Sequence, residues 1–125
     1  MNIYQEKLLD NYKNPRNYGE MKAPTVTMEL ENISCGDCLK MQFLVENEII
    51  KDIKFTGEGC AVAIGSASIL TDYAMGRNIK EMLKYSLDDL LDLIGIELTI
   101  SRLKCAGLGL ETLQKAIKES NKTNT

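Results

Sequence analysis

Leu39-Lys40-Met41-Gln42-Phe43, then Glu46-Asn47-Glu48, then Ile50-Lys51-Asp52-Ile53-Lys54-Phe55 is the stretch that decides the fold. Apolar and polar residues alternate on both sides of a short polar turn, and a period of two sends successive side chains to opposite faces of a strand. The segment therefore reads as an antiparallel hairpin of two half-buried strands. Upstream, Thr25-Val26-Thr27-Met28-Glu29-Leu30 alternates in the same way and adds a third strand. One face of that sheet must be covered by helices.

Helical patterns flank the strands. Ile3, Leu8, Leu9 and Tyr12 form a stripe at the N-terminus that Asn14-Pro15-Arg16-Asn17-Tyr18-Gly19 stops, because proline disfavours helix in the residue before it and a glycine follows. Residues 61–75 predict the covering helix: Ala61, Ala63, Gly65, Ser66, Ala67, Ser68 and Ala74 are small enough to lie close to a sheet, and Gly76 ends it. Asn78 or Ser86 caps the short helices that follow, the second with Leu87, Leu90, Leu91 and Ile94 on its apolar face. A last helix carries Ala106, Leu110, Leu113 and Ile117 on one side, and Glu119 to Thr125 reads as a frayed polar tail. The expectation is an α+β fold of one domain over residues 1–125: a small three-stranded antiparallel sheet packed with helices, an N-terminal helix and a C-terminal helical half.

At 125 residues, 44% hydrophobic and 26% charged, the chain can bury a core without staples. A net charge of -3 gives no electrostatic footprint for nucleic acid or an anionic membrane, so a metal or a protein partner fits better. The N-terminus lacks the apolar run of a signal peptide, and no segment approaches the length of a membrane span. The expectation is therefore a cytoplasmic protein with free thiols.

Four cysteines, Cys35, Cys38, Cys60 and Cys105, occur in a chain with no histidine. A tightly held soft metal would have to take thiolates and carboxylates, and Asp37 is the carboxylate two residues from Cys35. In extended chain Cys35 and Asp37 face together and Cys38 faces elsewhere, whereas a turn at Gly36 brings Cys35 and Cys38 together as in a zinc knuckle. A thioredoxin-like reading of that pair fits poorly, because a strand and not a helix follows. Cys60 precedes the small-residue helix and Cys105 is placed at or near the start of the last one, where partial positive charge favours thiolate; Arg102 and Lys104 add to this at Cys105. Taken singly, a cysteine beside Ala61 and Val62 is an ordinary small hydrophobe, and Arg102 and Lys104 are ordinary solvated charges. The joint arrangement is what points to a site.

Asn14-Pro15-Arg16-Asn17-Tyr18-Gly19, Cys35-Gly36-Asp37, Gly57-Glu58-Gly59-Cys60-Ala61-Val62-Ala63-Ile64-Gly65-Ser66-Ala67-Ser68 and Arg102-Leu103-Lys104-Cys105-Ala106 resemble, in this order, the motifs of the U-type iron-sulfur cluster scaffold family of IscU, SufU and the N-terminal part of NifU. The resemblance runs from about residue 3 to 117 and implies the same sheet-and-helix fold. It implies that Cys35, Cys60 and Cys105 are cluster ligands with Asp37 beside them. They would hold a transient [2Fe-2S] cluster, or Zn2+ in the same place, with Cys38 a substitute ligand. A labile hard carboxylate would let the cluster be passed on. The implied partners are a cysteine desulfurase, which supplies sulfur as a persulfide, and apo iron-sulfur proteins, which receive the cluster. Cys105 and Cys35 are the candidate sulfur acceptors, with Lys104 and Arg102 stabilising the thiolate.

The family's branches differ at this chain's own positions. Lys104 stands where IscU-type members place histidine, as in SufU-type members, yet the 45 residues from Cys60 to Cys105 leave little room for the segment SufU-type members insert. Ile96-Glu97-Leu98-Thr99-Ile100-Ser101 replaces the Leu-Pro-Pro-Val-Lys segment that chaperones recognise, which argues against chaperone-driven transfer. The expected function is a scaffold or carrier for iron-sulfur assembly. The alternatives are a zinc-dependent sulfurtransferase that accepts persulfide without building a cluster, and a structural zinc module that binds another protein.

Overall fold

The computed structural model describes residues 3–32 and 36–123. Its elements run α1 (Ile3–Lys13), β1 (Val26–Asn32), β2 (Asp37–Glu46), β3 (Ile49–Glu58), α2 (Ala61–Ala74), α3 (Ile79–Leu83), α4 (Leu87–Ile94) and α5 (Ile100–Thr123). The three strands form one antiparallel sheet in the order β1-β2-β3. This is the α+β arrangement expected from the alternation, with each strand longer than its clearest periodic stretch. The β2–β3 hairpin closes through Asn47 and Glu48, both at positive φ (53° and 65°), which is the twist a two-residue hairpin turn needs. A register shift follows between Leu44 and Val45.

Alternation decides the two faces of the sheet. Leu39, Met41 and Phe43 of β2 and Ile53 and Phe55 of β3 are buried in the core, which α2 and α5 cover with Ala63, Ala67, Leu70, Ala74, Ala106, Leu110, Leu113 and Ile117. The small residues of α2 serve close packing on two sides. A Cβ at Gly65 would stand 2.8 Å from the Leu8 carbonyl oxygen of α1, and one at Gly109 of α5 would touch the Ala67 Cα at 3.4 Å. Between α1 and α2 the buried Ser68 hydroxyl donates to Asn11 Oδ1 at 2.6 Å and accepts from the Arg16 amide at 2.8 Å, so the segment after α1 is docked on α2.

Helix ends follow the expected caps in part. Asn78 accepts from the Lys80 amide, and Ser86 with Asp89 forms a reciprocal capping box at the start of α4. α5 begins at Ile100, so Cys105, expected at or near its start, lies in its second turn. α5 also runs on to Thr123 with Ser120 buried, so the polar sequence from Glu119 is not a frayed tail as far as it is described. Among the described residues no helix is long and apolar enough to cross a membrane.

Candidate metal centre

Asp37 opens β2 on the inward-facing phase of the alternation and is only 2% exposed. Burying a carboxylate is costly without partners, and the chain supplies one from the start of α2. The Cys60 amide donates to Asp37 Oδ1 at 3.0 Å, and the Cys60 thiol faces Asp37 Oδ2 at 4.0 Å. Cys60 is the N-cap of α2 in extended conformation (φ -72°, ψ 169°), and the first turn of α2 has no acidic residue. Asp37 thus brings negative charge from another strand to a helix N-terminus that has none of its own. The approach is permitted by Gly59, where a Cβ would lie 2.6 Å from Asp37 Oδ1.

Cys105 arrives from α5 and is 3% exposed, its thiol directed at the Ser101 carbonyl one turn back, at 3.8 Å. The donor atoms of Asp37, Cys60 and Cys105 all lie within 4.8 Å of one another, although strand, helix cap and helix interior contribute one each. Four-coordinate zinc with Zn–S bonds of about 2.3 Å sets its sulfurs about 3.8 Å apart. A contraction of about 1 Å, within reach of side-chain rotation, would close this group around one ion. Two soft thiolates and a hard carboxylate suit zinc or iron and suit magnesium or calcium poorly. Cys35 lies outside the described residues; its neighbour Gly36 donates its amide to the Asn32 carbonyl at 2.8 Å, which brings together the two ends of the β1–β2 connection.

Cys38 is not brought to this group. It follows Asp37 by one residue and so faces the opposite side of the sheet, its thiol 3.7 Å from Glu29 Oε1. Glu31 and Glu58 are its cross-strand partners. Burial, and then the negative charge of Glu29, Glu31 and Glu58, push the Cys38 thiol above its ordinary pKa, which keeps it protonated. Arg102 and Lys104 are exposed on the first turns of α5, and Lys104 borders a groove of about 520 Å³ with Glu31, Asn32, Leu103 and Glu111. The helix-start argument for a Cys105 thiolate does not hold, since the dipole effect fades beyond the first turn. Gly59 was not legible from local pattern as a contact of Asp37; two glycines around one residue just before a cysteine are the signal that marks a close approach.

Fold and centre together define a small α+β protein that gathers two thiols and a carboxylate from three separate elements. The family model for NifU-like N-terminal domains matches residues 3–125, and the chain belongs to that family. It is 31% identical to the zinc-dependent sulfurtransferase SufU of Bacillus subtilis (strain 168) over 98% of this chain and 94% of that protein. It is 36% identical to the iron-sulfur cluster assembly scaffold protein IscU of Aquifex aeolicus over 93% of this chain and 74% of that protein. The fold superposes with a TM-score of 0.80 on the crystal structure of FiSufU from Fervidobacterium islandicum AW-1, at 25% identity and over 90% of this chain and 94% of that one.

Proposed function

We propose that this chain is a scaffold on which iron-sulfur clusters are assembled with sulfur from a cysteine desulfurase and from which they pass to apo-proteins. The observation that carries this reading is the convergence of Asp37, Cys60 and Cys105 within 4.8 Å. Membership of a family whose relatives include scaffold proteins agrees with it. Cys35 would complete the ligand set. The cluster is cargo, and the donor set suits cargo: thiolates hold the inorganic core, while the carboxylate of Asp37 is a hard, exchangeable ligand that already has a second use as hydrogen-bond acceptor for Cys60.

Sulfur would arrive on the desulfurase as a cysteine persulfide. The Cys105 thiolate attacks the outer sulfur, the new S–S bond forms at Cys105, and the bond that breaks leaves the desulfurase cysteine as a thiolate that takes up a proton. Lys104 and Arg102 supply positive charge near that exchange, and Cys35 is the other acceptor. Because Cys105 is buried, the step requires α5 to expose its second turn.

A second reading, a zinc-dependent sulfurtransferase, is favoured by the Bacillus subtilis relative, which aligns over nearly the full length of both chains. Asp37, Cys60, Cys105 and Cys35 would hold the Zn2+, which when bound keeps its thiol ligands deprotonated. The two readings separate on anaerobic reconstitution with iron, cysteine and a desulfurase. A scaffold acquires iron and acid-labile sulfide in comparable amounts and loses both to an apo-ferredoxin. Zinc as isolated, with no sulfide-linked colour after reconstitution, favours the sulfurtransferase instead, and stimulation of a desulfurase then separates it from a structural zinc module.

A further inference from the structure

The arm that carries Cys60 to Asp37 is Gly57-Glu58-Gly59, and a side chain at either glycine would collide with its neighbours. A Cβ at Gly57 would stand 2.3 Å from the Cys38 carbonyl oxygen, and one at Gly59 would stand 2.6 Å from Asp37 Oδ1. Glycine is the residue that loses most backbone freedom on ordering, so an arm built this way is loose unless something outside it holds it. On its inner side it pairs with β2, Gly57 opposite Leu39 and Glu58 opposite Cys38. Among the described residues no strand pairs with the other edge of β3.

Tyr18 closes that edge. The segment after α1 runs along β3, with the Phe55 amide donating to the Asn17 carbonyl and the Gly19 amide donating to the Phe55 carbonyl, both at 2.9 Å. This holds Tyr18 beside Phe55, their rings edge to face at 5.3 Å and 82°. From there the Tyr18 hydroxyl reaches two residues along the strand. It donates to the Gly57 carbonyl at 3.1 Å and accepts from the Gly57 amide at 3.4 Å, meeting both edge-facing groups of one residue. Phe55 is anchored in the core, so the clamp it supports grips the arm at Gly57, three residues before Cys60.

We infer that Tyr18 is a positioning residue for the metal centre: its hydroxyl clamps the glycine arm at Gly57 so that Cys60 stays in register with Asp37. The inference rests on the reading that Asp37, Cys60 and Cys105 hold the metal, and it assigns a role to an exposed side chain that touches none of them. Tyr18→Phe keeps the ring against Phe55 and removes only the clamp. Gly57 then turns to water, the arm frays, and Cys60 spends less time within reach of the ion.

The test uses Co2+ bound to the full chain, with its thiolate charge-transfer and d–d absorption as the signature, and measures release to a chelator. Tyr18→Phe is compared with wild type and with Ser86→Ala, which removes the capping side chain of α4. Loss of the 3.1 Å hydrogen bond at ordinary strength, with a smaller part from the 3.4 Å one, corresponds to release at least about fivefold faster from Tyr18→Phe, with displaced d–d bands. Ser86→Ala should release at the wild-type rate with the wild-type spectrum despite its lower stability. Equal release and identical spectra for Tyr18→Phe and wild type overturn the inference, as does faster release from Ser86→Ala in step with its stability loss. A wild type that binds Co2+ without thiolate absorption overturns the metal reading itself.

Discussion

Gly59→Ala puts a methyl group where Asp37 stands. The added Cβ would lie 2.6 Å from Oδ1, 3.0 Å from Cγ and 3.2 Å from the Asp37 Cβ, against an ordinary contact of 3.4 Å or more. The carboxylate must retreat by about 0.8 Å to reach ordinary contact, and a short side chain in a buried site cannot swing clear. The retreat stretches the 3.0 Å hydrogen bond from the Cys60 amide beyond useful length. A hydrogen bond to a charged group contributes about 1.5–3 kcal/mol, and the reduced freedom of the unfolded chain with alanine offsets about 0.5–1 of that. The expected net loss is about 1.5 kcal/mol, which lowers the urea midpoint by about 1 M for a domain of this size. Zinc affinity should fall about tenfold in the same variant, because the oxygen ligand has moved. Gly107→Ala is the control. Its Cβ would sit 3.5 Å from Leu87 Cδ1, an ordinary contact inside a helix, so it should stabilise by about 0.5–1 kcal/mol and leave zinc binding alone. Gly59→Ala with the wild-type urea midpoint and zinc affinity would refute the close approach of Gly59 to Asp37 as a structural constraint.

Asp37→Ala removes the exchangeable ligand, so a reconstituted cluster should pass to apo-ferredoxin several-fold more slowly, while Cys38→Ser transfers at the wild-type rate; the opposite ranking would place Cys38 in the ligand set. Because burial and three glutamates hold the Cys38 thiol above its usual pKa, its thiolate fraction at about pH 8.5 is lower than that of free cysteine. Alkylation at Cys38, resolved by peptide mass, should therefore lag free cysteine at that pH, catch up only in stronger alkali, and speed up in Glu29→Gln. Ser86→Ala removes the hydroxyl that accepts from the Asp89 amide, leaves the Ser86 amide free to donate to the Asp89 carboxylate, and should cost about 1 kcal/mol, read as a lower urea midpoint with unchanged metal content.

The alternation that made β2 legible also separates Asp37 from Cys38. Asp37 and Cys38 are neighbours in sequence and lie on opposite faces, one buried by Cys60 and the other beside Glu29. The small residues of α2 announced close packing on the sheet, and Gly65 turns out to lie against Leu8 of α1 instead. Long-range pairing was not legible in periodicity. Nothing local tells that the cap of α2 meets the start of β2, 23 residues earlier, because a hairpin and its register must first place them. The resemblance to known motifs grouped the ligands where pattern alone left a strand and a knuckle as alternatives. Cys105, read at or near the start of α5, lies in its second turn because the helix begins at Ile100. Its end was misjudged because a polar run reads as a tail, whereas Ser120 is buried.

X-ray absorption at the zinc edge of the zinc-loaded chain tests most directly whether Asp37, Cys60 and Cys105, completed by Cys35, form one centre. Three sulfurs at about 2.3 Å and one oxygen at about 2.0 Å are expected, with the oxygen shell altered in Asp37→Ala and the sulfur shell unchanged in Cys38→Ser. Four sulfurs in the wild type, falling to three in Cys38→Ser, would contradict the centre described by this fold.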